Sequence, residues 1–162
     1  MYGKHLLAAL GLGAVLTVSS LLPAGAFFHS PLAANPNYRP ISFGMGYEQY
    51  VDLSSLETVS DDGNGWVFKV NLFRSPEDSG TIEGTYTLTY KIAKGQAWIW
   101  NEPTHTWFDI PMKKQLKHGQ VADFVAVNIC YKQKTGKYLN DNYGYAQSME
   151  KYYQGESSAA KP

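Results

Sequence analysis

The chain has 162 residues with 14 basic and 14 acidic side chains, so it carries no net charge with neutral histidines. Its basic residues are scattered, and the densest group, Lys113, Lys114 and Lys117, is too short for the basic stripe that nucleic-acid binding requires. A single cysteine, Cys130, excludes an intrachain disulfide, so the fold must stand on its core alone.

In chain order, the first feature is an export signal. Lys4 is the only Lys, Arg, Asp or Glu before Arg39, and an apolar run from Leu6 to Leu22 follows it. That run ends in Pro23-Ala24-Gly25-Ala26, a small-x-small site. A positive end, an apolar stretch and a small-residue site in this order are the pattern of a cleavable signal peptide over residues 1–26. A membrane anchor needs about 20 predominantly apolar residues. This run is at the short end of that requirement and has no cationic cluster behind it. No cysteine near the site offers an acyl anchor.

Residues 27–46 hold Pro31, Pro36, Pro40, Gly44 and Gly46 without periodicity, and read as an extended leader. Residues 47–154 then read as one domain of sheet and helix, and residues 155–162 as a small, polar, flexible tail. Tyr47 to Leu53 is a short strand, and Ser60 to Gly65 is a cluster of turn formers. Trp66, Phe68, Val70 and Leu72 alternate along the next strand. Ile82, Tyr86, Leu88, Tyr90 and Ile92 share one face of the clearest strand, with Thr85, Thr87, Thr89 and Lys91 on the other. Period two with one wet face predicts an antiparallel sheet. Gln96 to Trp100 and Thr104 to Ile110 form a further hairpin. Short connections predict a meander of about five strands.

Beyond Gly119 the period changes. Val121, Phe124, Val125 and Ile129 follow helical spacing, with Asp123 near the start, Lys132 and Lys134 near the end, and Gly136 as the stop. The β-branched content of Phe124 to Ile129 allows a strand as the alternative. Tyr145 to Tyr153 reads as a second, shorter helix. A sheet with one apolar face needs a cover, so the predicted class is α+β, an antiparallel meander covered by a C-terminal helix.

No residues assemble into a catalytic set. Only His105 and His118 lie within the predicted domain away from the export signal, and neither they nor Cys130 show zinc spacing. Asp61-Asp62-Gly63-Asn64-Gly65 resembles a calcium loop only until Trp66 and Phe68 replace the ligands that should continue it. The dinucleotide, P-loop, zincin and nucleophile-elbow motifs are absent. No cofactor and no metal is expected. Cys130, between Ile129 and Tyr131, is a buried core thiol, the link of a homodimer or a reactive thiol.

The unusual feature is aromatic. Trp98, Trp100 and Trp107 fall within ten residues, and Trp98 and Trp100 share one face of their strand, opposite Ala97 and Ile99. If the Ala97 and Ile99 face packs inward, the tryptophans point outward and form a binding surface. If the tryptophans are the core side, there is no such surface.

The order of the elements resembles a known family. A signal peptide precedes Tyr50-Val51-Asp52-Leu53-Ser54-Ser55-Leu56, then come a turn, the strand Trp66-Val67-Phe68-Lys69-Val70, a meander, and a terminal helix carrying a cysteine. This resembles the surface-adhesin protein E type of small exported bacterial domain over roughly residues 47–131. The resemblance implies an antiparallel sheet covered by a C-terminal helix, a surface or periplasmic location, and binding of host extracellular-matrix components. The chain departs from that family in lacking a second cysteine and a lipobox.

The expected function is thus an exported, non-enzymatic binding protein of the periplasm, cell surface or medium, adhesin-like, with binding residues Trp98, Trp100 and Trp107. The expected partner is a protein or glycan outside the cytoplasm, with no nucleic acid and no membrane span after cleavage. Two alternatives stand beside it. One is a periplasmic small-ligand carrier with a pocket between helix and sheet lined by Tyr86, Tyr90 and Phe124. The other is an envelope enzyme using His105 or His118 with Asp109 or Asp123.

Overall fold

A computed structural model describes residues 31–112, 116–141 and 144–153. The expected export signal at 1–26 and the expected tail at 155–162 lie outside the described residues. The described chain is α+β, a six-stranded antiparallel sheet with two helices. The strands are β1 (Tyr38–Gly44), β2 (Tyr47–Asp61), β3 (Gly65–Pro76), β4 (Glu83–Ala93), β5 (Gln96–Asn101) and β6 (Thr106–Ile110). They lie side by side in chain order, as short connections demand. Helix α1 (His118–Thr135) and helix α2 (Tyr145–Tyr153) follow.

The predicted leader contains more structure than its prolines and glycines suggested. Pro31–Ala34 forms a 3-10 turn, and β1 adds a sixth strand paired with β2. Pro40 is compatible with a strand here because β1 is an edge, where one side of the backbone needs no ladder partner. The register also slips between Pro40 and Ser42, so the proline sits at a bulge.

The alternation read along β3 and β4 sets the core. Trp66 pairs with Ile92, Phe68 with Tyr90 and Val70 with Leu88, all facing α1. Trp66 stacks on Phe68 at 4.1 Å between ring centroids, and its indole N–H donates to Thr58 Oγ1 at 3.0 Å. Burying each such side chain contributes roughly 1.5–3 kcal/mol. The β2–β3 turn is closed by Asp62, whose carboxylate accepts from the backbone N–H groups of Asn64 and Gly65 at 2.9 and 2.8 Å. That local role accounts for the acidic residues of the would-be calcium loop.

Helix α1 touches β1, β2 and β6, so the sheet curls around it from one edge to the other. Every residue from Phe124 to Cys130 is therefore buried. A helix enclosed on all sides needs no polar stripe, which is why its sequence is also compatible with a strand. Asn128, the one polar residue in that run, donates to the Phe124 carbonyl and accepts from the Asn140 N–H, both at 3.0 Å. The helix stops at Gly136, whose φ of 80° is left-handed and whose N–H bonds the Lys132 carbonyl at 2.8 Å.

A smaller cluster sits on the opposite face of the sheet, where Leu32 of the 3-10 turn covers Tyr50 and Phe73. Gly80 permits this docking. Its φ is 67°, and a side chain there would lie 2.8 Å from Pro31.

Candidate functional site

The β5 register decides which way the tryptophans face. Ala97 pairs with Ile92 on one side and Ile110 on the other, and all three are core residues. Ile99 pairs with Tyr90 and packs against the same core. Strand alternation then turns Trp98 and Trp100 to the face away from α1. Trp107 pairs with Trp100 and joins them there. All three tryptophans are half-buried, whereas Ala97 is fully buried.

Trp107 links the other two indoles, meeting Trp100 directly and sharing the Lys91 cation with Trp98. Trp100 and Trp107 meet edge to face, with centroids 5.2 Å apart and planes at 60°. The Lys91 ammonium lies 5.7 Å from the Trp98 ring and 6.0 Å from the Trp107 ring, within the distance at which a ring face attracts a cation. His105, in the turn between β5 and β6, lies edge-on to Trp100 at 6.1 Å. Lys91 pairs with Trp98, and Trp98 with Asp109, so an acid flanks the cluster on the outer strand.

A notch opens beside Trp100. Pairing between β4 and β5 runs only from Ala93 back to Tyr90, although β4 itself begins at Glu83. The two strands part beyond Tyr90, leaving a recess of about 300 Å³ lined by Thr87, Thr89, Trp100 and Glu102. Thr87 is oriented by its hydroxyl, which donates to Asn71 Oδ1 at 2.6 Å. Aromatic faces, one ammonium and a recess edged by two threonine hydroxyls thus lie together.

Of the residues considered for chemistry, Asp109 and Asp123 line one recess of about 180 Å³. Cys130 is fully buried in the core, where loss of solvent pushes its thiol far above the ordinary range. This matches the buried-thiol alternative. His105 sits in the β5–β6 turn with a left-handed φ of 49°, and Asp109 lies on β6. His118 is the first residue of α1. Asp123 is engaged elsewhere, accepting a 2.8 Å bond from the Tyr90 hydroxyl. Burial raises the Asp123 carboxyl above its usual value, and the Tyr90 bond only partly offsets that. The same burial, with Asp123 beside it, holds the Tyr90 phenol well above its ordinary range. Among the described residues no three metal-ligating side chains gather. Tyr90 and Phe124, expected to line a carrier pocket, are both fully buried in the core.

Lys91 was not singled out by sequence, although its alternation with Ile92 placed it on the wet face. The notch was not legible at all, because it depends on where two strands separate. No helix among the described residues is long and apolar enough to cross a membrane. Comparison with known proteins finds no matching family, no matching curated protein and no matching solved structure.

Proposed function

We propose that this chain is an exported, non-enzymatic binding protein, adhesin-like in the sense implied by its resemblance to the surface-adhesin protein E type. Its contact surface is the Trp98, Trp100 and Trp107 cluster. The observation that carries this reading is the outward orientation of three half-buried indoles on a sheet whose other face supplies the core. Tryptophan is the residue most enriched among side chains that dominate binding energy, and truncating such an anchor costs about 2 kcal/mol or more of affinity. Lys91 adds a cation between the rings, and Asp109 adds an acid beside them.

The geometry favours a protein partner over a stacked glycan. Two sugar rings in succession need near-coplanar aromatic faces, and the 60° angle between Trp100 and Trp107 does not offer them. An edge-to-face pair instead makes a ridge and a recess, which suits side chains of a folded or extended polypeptide.

The experiment is a binding screen of the purified protein against matrix glycoproteins and their polysaccharides, each immobilised. The reading expects saturable capture by at least one glycoprotein. It also expects that capture to fall tenfold or more in Trp100→Arg and Trp107→Arg variants that still unfold cooperatively, at a melting temperature lowered only by the lost indole packing. Capture that is indifferent to both substitutions rules the surface out. Hydrolysis of a bound partner by the purified protein would contradict the non-enzymatic reading.

A further inference from the structure

A second opening lies on the helix side of the sheet, away from the tryptophans. It is a groove of about 570 Å³, the size of an ordinary small-molecule site. Helix α1 packs against β1 and β2 and helix α2 against β1, and the groove opens where the β1–β2 hairpin meets the first turns of both helices. The hairpin joining β1 and β2 supplies Phe43, Met45 and Tyr47, helix α1 supplies Val121, and helix α2 supplies Met149. The walls are mostly apolar. Met45 occupies the hairpin tip with a left-handed φ of 55° and is 95% exposed while lining the groove. An unbranched thioether in full contact with water has no packing role, but its flexibility suits a wall that adapts to a ligand.

One cation faces these apolar walls. Arg74 of β3 lines the groove, and its guanidinium stands 5.1 Å over the Tyr47 ring. Its Nε also passes close to Gly84, where an added side-chain carbon would sit 3.8 Å away. The guanidinium is thus placed before any ligand arrives. Among the described residues no carboxylate forms an ion pair with Arg74. An ordered fork of N–H donors matches a carboxylate in bidentate fashion.

An alkyl wall with a single positioned cation at its margin is complementary to an acidic amphiphile. We propose that the groove binds a free long-chain carboxylate, its alkyl chain along Phe43, Val121 and Met149 and its head group on Arg74. The site is distinct from the tryptophan cluster, and its test does not depend on that reading.

The test is calorimetric titration of the protein with dodecanoate, kept below its micellar concentration, and with dodecyltrimethylammonium as a chain of equal length and opposite charge. The expected result is saturable one-to-one binding of dodecanoate, at least tenfold tighter than the cationic amphiphile. Arg74→Gln is expected to weaken dodecanoate tenfold or more, and Met149→Asp to weaken both amphiphiles. Trp107→Arg, on the other face, is expected to leave dodecanoate binding unchanged. Equal affinity for the two head groups overturns the proposal, as does affinity insensitive to Arg74→Gln or the lack of saturable binding. Sedimentation with anionic phospholipid vesicles separates the sources. Arg74-dependent vesicle binding without dodecanoate binding would assign the cation to a membrane surface and overturn the carboxylate reading.

Discussion

Placing one carboxylate at each of two adjacent positions, Ala97 and Trp98, tests the orientation of β5. In Ala97→Glu the charge enters the core beside Ile92 and Ile110, where the native side chain is fully buried. An unpaired buried carboxylate costs several kcal/mol. That consumes much of the roughly 5–15 kcal/mol by which a domain is stable. In Trp98→Glu the charge points to solvent. The half-buried indole forfeits roughly 100 Å² of buried apolar surface, at most about 2.5 kcal/mol. The new carboxylate stands between Lys91 and Asp109, so the roughly 0.2–1 kcal/mol of a cross-strand ion pair is offset by a like-charge repulsion of similar size. The net cost for Trp98→Glu is about 2 kcal/mol. Urea unfolding followed by far-ultraviolet circular dichroism measures both. The structure expects a cooperative transition at lower urea for Trp98→Glu and severe or complete loss of folding for Ala97→Glu. A reversed order, or equal losses, would put the tryptophans in the core.

Three further outcomes follow from the interior. Because burial holds the Asp123 carboxyl above its usual value, the folded state keeps a proton that the unfolded chain has released. Its contribution to stability is therefore greatest below about pH 4 and declines as pH rises through the folded pKa. Asp123→Asn should flatten that decline in urea midpoints measured across the acidic range, and an unchanged slope would assign it to other groups. Gly136→Ala forces a side chain into the left-handed cap and should cost about 1 kcal/mol by thermal melting; a neutral result would mean the cap relaxes. Cys130 should resist a thiol reagent in the native protein and react fully in denaturant, since it is buried and its thiolate is disfavoured. Rapid native labelling would contradict its placement.

The parts of the fold legible in the sequence are those with a clean local period. Trp66 to Leu72 and Tyr86 to Ile92 alternate without interruption, and they became the centre of the sheet. Strand β1 was hidden because an edge tolerates Pro40 and a bulge, which in isolation signal a loop. Strand β2 runs on to Asp61, beyond the Leu53 end that was expected. Its register shifts between Asp52 and Glu57, where the Asp52 carboxylate accepts from the Ser54 N–H and hydroxyl, and this breaks the alternation. The helical spacing in α1 was readable, but a sheet curled around it removed the polar stripe that would have made the assignment plain.

For the site, the grouping of Trp98 with Trp100 was available from strand periodicity, but their direction was not. Either face of β5 is apolar, and only the pairing of Ala97 and Ile99 with buried neighbours resolves the choice. The Arg74 groove draws on five elements, so no local pattern announces it.

The chain's four tryptophans supply their own measurement of the central claim. Each indole N–H gives a separate nitrogen–proton resonance, with Trp66 in the core as an internal control. In a titration with the glycoprotein fragment identified by the binding screen, the account predicts shifts or broadening at Trp98, Trp100 and Trp107 first, with Trp66 unmoved. A titration that moves Trp66 alone, or none of the four at saturation, would contradict it.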